Sequence, residues 1–170
     1  MFGLFKKPLP FGTVFEDLVE MLARIQESVN GLASEEGMHT SENYDVETHA
    51  FAYILGWYAI QASNLGLADK QRFSAELTGA VAKQMSRGDT TKQIELIRLL
   101  QERIGAYRHA LEEGKGRDRA ARLVFRFMEY IGTDNPEQVG VQAALYVAVP
   151  NHITALKDFL TDINKTYKLI

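Results

Sequence analysis

The stretch Val46–Leu67, VETHAFAYILGWYAIQASNLGL, constrains the fold more than any other part of the chain. From Phe51 to Ile60 it runs through ten apolar, aromatic or glycine residues without a break, and it holds the only tryptophan, Trp57. A helix that is apolar nearly all round is either the buried centre of a bundle or a membrane span. A span needs about 20 consecutive apolar residues. Here Asp45, Glu47 and His49 bound the run on one side, and Gln61, Ser63 and Asn64 on the other. The length therefore predicts a buried helix over about 45–66, with other helices packed around it.

Helical spacing and end signals recur along the rest of the chain. Thr13 and Glu16 form a capping box, in which each side chain satisfies an orphan backbone N–H. Phe15, Leu18, Val19, Leu22, Ile25, Val29 and Leu32 follow at helical spacing, and Gly31 marks an end. Ser34 to Tyr44 is polar and aperiodic, which predicts a loop before the central helix, with Asn43 or Asp45 as its cap. Gly66 is a stop for that helix, and Asp69 a cap for the next. Phe73, Leu77, Ala80, Val81 and Met85 stripe a third helix that closes at Gly88 in a left-handed conformation. Asp89 then caps a fourth helix, Thr90 to Glu113. Its seam is Ile94, Ile97, Gln101, Ile104, Arg108 and Leu111, with Leu96, Leu100 and Tyr107 beside it.

After Gly114 and Gly116, a fifth helix from Asp118 to Ile131 turns Ala120, Leu123, Val124, Phe127, Met128 and Ile131 inward. Asn135-Pro136-Glu137-Gln138 starts a sixth helix. Pro150 ends or kinks it, because proline lacks the N–H and clashes with the preceding turn. A seventh, from Asn151 or His152, carries Ile153, Leu156, Leu160, Ile163 and Tyr167. No strand and no internal repeat is expected. The fold expectation is a single all-α domain over 1–170, a bundle of about six or seven helices around 45–66, with an N-terminal arm at 1–12. One domain is what 170 residues suggest.

Composition excludes several function classes. There is no cysteine, hence no disulfide, thiolate metal site, iron–sulfur cluster or cysteine nucleophile. The net charge of −3 argues against a basic coat for nucleic acid. No Gly-x-Ser-x-Gly elbow and no Walker loop occurs. The opening MFGLFKKPLPFG places its lysines after the apolar residues, the reverse of a secretory signal, and Phe2 stands where myristoylation needs glycine. A cytoplasmic location is the expectation. Phe2, Leu4, Phe5, Lys6 and Lys7 offer two readings, an arm packed on the body or a contact with an anionic membrane surface.

The chemistry-bearing residues are few. Asp45 with His49, and His109 with Glu113, have helical metal-ligand spacing, but each supplies two ligands and neither has a second histidine nearby. No metal site, cofactor or catalytic residue is expected. His49, Tyr53, Trp57 and Tyr58 are the candidates for lining an aromatic pocket. Lys115, Arg117, Arg119, Arg122 and Arg126 cluster at the start of the fifth helix, opposed by Asp118. Arg119, Arg122 and Arg126 share a face through their spacing. They form either a docking patch or a solvated face paired with nearby acids, with no aromatic interleaved on it. The acidic segment Ser34–Glu47 is its opposite pole. These patterns carry no family resemblance. They lead to a non-enzymatic helical interaction protein of the bacterial cytoplasmic type, a regulator, adaptor or toxin-neutralising partner. The alternatives are a small-molecule binder with an aromatic pocket, and membrane-surface association through the arm.

Overall fold

A computed structural model describes residues 6–35, 44–113, 117–131 and 139–170. Its helices are α1 (Phe11–Glu35), α2 (Tyr44–Ala62), α3 (Leu67–Ser86), α4 (Thr90–Glu113), α5 (Arg117–Ile131) and α6 (Val139–Thr166). Two three-residue strands, β1 (Lys7–Leu9) and β2 (Tyr167–Leu169), complete the described elements. The architecture is an all-α bundle. Among the described residues no helix is long and apolar enough to cross a membrane.

The centre is α2, which packs against each of the other five helices. Ala50 through Gly56 are all buried, as are Ala59 and Ile60. Phe51 reaches α5, where it stacks on Phe127 with ring centroids 4.5 Å apart. Gly56 is the closest approach to α1 and α3. A Cβ there would stand 2.8 Å from a methyl of Leu22 and 3.3 Å from one of Leu77. The glycine inside the apolar run is thus a packing requirement rather than a weak point. Tyr53 is buried to its hydroxyl, which bonds Thr78 Oγ1 at 2.8 Å. Burial raises the Tyr53 pKa, and that hydrogen bond offsets part of the rise.

Helix ends follow local chemistry in the middle of the chain. Ser63 Oγ–H donates to the Ile60 carbonyl as α2 closes. Gly66 precedes α3 as its N-cap, and Asp69 lies inside its first turn rather than at the cap. Arg87 ends α3 with φ 52°, and Gly88 follows with φ 89°. Asp89 Oδ1 then accepts from the Lys92 N–H at 3.0 Å, so it caps α4. On α4 the inward seam is Leu96, Leu100, Tyr107, Ala110 and Leu111, all buried. Ile94, expected in the seam, is exposed, as are Gln101 and Arg108. The stripe named as flanking is the buried one, with the Tyr107 ring against Phe51 of α2 and Tyr130 of α5.

The chain ends depart from the local signals because tertiary partners take over. Helix α1 begins at Phe11, two residues before the expected capping box. The Phe11 N–H donates to the Ile170 carbonyl at 3.0 Å, which satisfies an orphan amide without a side-chain cap. Gly31 lies within α1 rather than ending it. Strands β1 and β2 pair in parallel, Lys7 with Tyr167 and Leu9 with Leu169, where no strand was expected. Pro8 and Pro10 lack donors, which confines this segment to an edge. Pro150 does not end a helix; it lies within α6. A proline costs a helix interior about 3 kcal/mol. Leu145 and Val149 before it, and Leu156 and Leu160 after it, are all buried, so packing on both sides offsets that cost. The expected sixth and seventh helices are therefore one. Its start signal at 135–138 lies outside the described residues.

Candidate functional site

Of the five arginines and lysines singled out at the start of α5, three have described side chains, and each of the three has a different neighbour. Lys115 and the side chain of Arg117 lie outside the described residues. Arg119 turns toward α2, donating to the Tyr58 hydroxyl, and its guanidinium lies 5.7 Å from the Tyr58 ring centre. Arg122 pairs with Asp118 at 3.2 Å, one turn earlier on α5. Arg126 pairs with Glu129 at 2.7 Å. Both pairs are half open to water, where such bridges contribute little.

Beside Arg122 and Arg126, on a face where no interleaved aromatic was expected, stands Phe125. Phe125 is 53% exposed. Its ring meets Tyr146 of α6 edge-on, centroids 6.3 Å apart. Val147, next in the chain, is 68% exposed. Arg122, Phe125 and Arg126 border a shallow groove of about 190 Å³ with His109 and Glu129. An aromatic is thus interleaved with the arginines. The signal was present in the helical spacing, since 120, 123, 124, 127, 128 and 131 form the inward stripe and leave 125 off it.

The aromatic-pocket candidates fall in three places. Tyr53 is sealed in the core. His49 faces Gln26 of α1, with Nδ1 2.6 Å from the Asp45 carbonyl and Nε2 2.8 Å from Gln26 Nε2. That geometry assigns Nδ1 as the donor and Nε2 as the acceptor. Trp57 and Tyr58 line a cleft of about 420 Å³ between α2, the end of α4 and the start of α5. Arg108, Glu112 and Arg119 supply its charges, and Gln61 and Leu111 complete the wall. Two of the pocket candidates and one member of the basic cluster therefore share a site. Among the described residues no three His, Asp or Glu side chains come together to hold a metal ion.

The acidic segment divides too. Ser34 and Glu35 belong to α1, and Asp45 and Glu47 to α2; residues 36–43, with Glu36 and Glu42, lie outside the described residues. Glu47 is no part of a solvated pole. It is buried, and both its oxygens accept from Arg103 Nε, at 2.9 and 3.2 Å, while Arg103 Nη2 adds a further bond. The Arg103 guanidinium also lies 3.7 Å from the centre of the Tyr130 ring. These contacts raise the Arg103 pKa, the hydrogen bond to Glu47 first. Tyr107, alongside, is pushed well above the usual phenol range by burial and then by the Glu47 charge. Burial and the Asp45 charge push Tyr44 up to about 12. His152 on α6 is held below its ordinary value by burial. At the N-terminal arm, Lys6 Nζ donates to the Asn164 carbonyl, Lys7 is exposed, and Phe2, Leu4 and Phe5 lie outside the described residues.

The chain matches no protein-family model, no curated protein and no solved structure. The functional reading rests on this geometry alone.

Proposed function

We propose that the chain is a non-enzymatic interaction protein that docks an acidic segment of a protein partner on the α5 face. The observation that carries this reading is Phe125, more than half exposed between Arg122 and Arg126. A lone exposed apolar residue needs no explanation. Here the ring is joined by Tyr146 of α6. Aromatic and arginine side chains are the types that dominate binding energy at interfaces. Burying the exposed half of the Phe125 side chain under a partner would supply about 1 kcal/mol. The flanking guanidiniums would steer a negatively charged partner and fix its register. Asp118 and Glu129 hold them through exposed pairs that are easily exchanged for a partner's carboxylates.

The test is co-purification of the tagged full chain from its own cells, beside Phe125→Ala and the double variant Arg122→Glu with Arg126→Glu. The wild type should retain a stoichiometric acidic protein, both variants should lose it, and rising salt should release it. A partner held equally by all three would remove the α5 face from the interface. Substrate turnover by the purified protein would end the non-enzymatic reading.

A further inference from the structure

The two chain ends meet in a ribbon that docking on the α5 face does not use. Residues 6–10 and 165–170, KKPLP and KTYKLI, hold four lysines and no acidic side chain. Leu9 and Leu169 pair across the ribbon and pack against the core. Alternation along each strand turns their neighbours outward. Pro8, its partner Lys168, and Ile170 beyond it are all exposed. Lys6 Nζ bonds the carbonyl of Asn164, whose Nδ2 donates to the Asn64 carbonyl at 2.7 Å. Those bonds set the turn between α2 and α3 at the same end of the bundle. Leu67, just past that turn, is 73% exposed, and Ile170 is 63% exposed. We propose that this end of the bundle docks on an anionic lipid membrane surface, with lysines from both chain ends on the headgroups and Ile170 in the apolar boundary.

Charge, shape and composition each favour a membrane over another acidic partner. Among the described residues no carboxylate pairs with Lys6, Lys7 or Lys168, and Lys165 meets Asp162 only loosely, at 3.8 Å. The nearest acids along the chain, Asp162, Glu16 and Asp17, lie on α6 and α1 rather than on the ribbon. Lysine ammonium groups are point charges on flexible stems, without the fixed fork of a guanidinium. They suit a diffuse plane of headgroups better than one set carboxylate. A protein strand has no donors to add to along β1. The Leu9 carbonyl and the Phe11 N–H point to β2, so the positions facing away are Pro8 and Pro10, which carry no N–H. The sequence that enters β1, MFGLF, adds apolar residues and no charged side chain. Apolar groups beside lysines are the composition of a surface that rests at the headgroup boundary. No residue of the α5 face belongs to the ribbon, so this inference is independent of the α5 docking reading.

The test is sedimentation of the full-length protein with phosphatidylcholine vesicles, with and without phosphatidylserine. The protein should bind the anionic vesicles at least about tenfold more tightly than the neutral ones, and rising salt should release it. Lys7→Gln and Lys168→Gln should each weaken binding about fivefold, although they lie at opposite ends of the chain. Ile170→Ser should weaken it about threefold and leave the salt dependence unchanged. Circular dichroism checks that each variant is folded, and Lys165→Gln, also exposed, gives the same test should Lys168→Gln unfold. Equal binding to both kinds of vesicle, binding to neither, full affinity in the folded Lys168→Gln or Lys165→Gln variant, or complete release by an equal charge of polyglutamate would each overturn the proposal.

Discussion

Arg103 and Arg122 each hold a carboxylate, and the two pairs have little else in common. Arg103 and Glu47 join α4 to α2, with side chains 16% and 4% exposed. Arg122 and Asp118 lie one turn apart on α5, with side chains 43% and 58% exposed. The first pair has left water and is matched by two-point hydrogen bonding and by the Tyr130 ring beneath it. The second stays about half exposed, where such pairs contribute little. The same two chemical groups therefore make a buried tie between helices in the interior and a solvated pair within one helix on α5. Solvent makes the difference: attraction grows as the dielectric falls, but so does the cost of leaving either charge alone.

The comparison is most exposed to failure at Arg103. Arg103→Ala should lower the unfolding free energy by about 3–5 kcal/mol, because Glu47 would remain buried without its cation. Urea denaturation measures this, and a loss under about 1 kcal/mol would mean that the pair is not a tie. Replacing both partners, Glu47→Leu with Arg103→Met, should recover most of that loss, since apolar groups of similar volume avoid the desolvation of two charges. A double variant as unstable as the single would show instead that the hydrogen bonds themselves hold α2 against α4.

A smaller effect is expected at Tyr107, whose buried hydroxyl has no hydrogen-bond partner among the described residues. Tyr107→Phe should raise stability at pH 7 by up to about 1 kcal/mol. It should also change the alkaline limb. The folded pKa of Tyr107 lies above the unfolded value near 10, so its contribution is full below pH 10 and is lost as pH rises through the folded value. The variant should unfold less steeply above pH 10, with Tyr44 and Tyr53 leaving the remainder of the slope. An unchanged limb would contradict the burial of this phenol. The smallest effects belong to the surface. Arg122→Gln and Arg126→Gln should each change stability by less than about 0.5 kcal/mol, at both low and high salt. A loss comparable with that of Arg103→Ala would erase the distinction between the two regions.

The parts of this contrast differ in how far they could be read along the chain. Helix α4, expected over about Thr90 to Glu113, was legible at both ends, because Asp89 caps it and Gly88 adopts the left-handed turn before it. The inward stripe of α5 was legible for the same reason: spacing is a local property. Glu47 and Arg103 are 56 positions apart, and no local rule joins them. A clue existed in Arg103, which sits on the stripe of Leu96, Leu100 and Tyr107, where a charge needs a buried partner. The α5 cluster was visible as a run of cations, but the bond from Arg119 to Tyr58, 61 positions away, was not.

By itself the sequence determined that this chain is helical, that its centre is the run through Phe51–Ile60, and where α4 begins and ends. Apolar periodicity and capping act within a turn or two, so neighbouring residues suffice to encode them. Only the tertiary structure decided that Pro150 would be carried inside one long helix, that the two chain ends would meet as strands, and that Glu47 would be buried and Phe125 left in water. Each of those outcomes depends on what another helix places opposite. Packing and desolvation are sums over neighbours in space, and those neighbours lie too far along the chain for local pattern to specify.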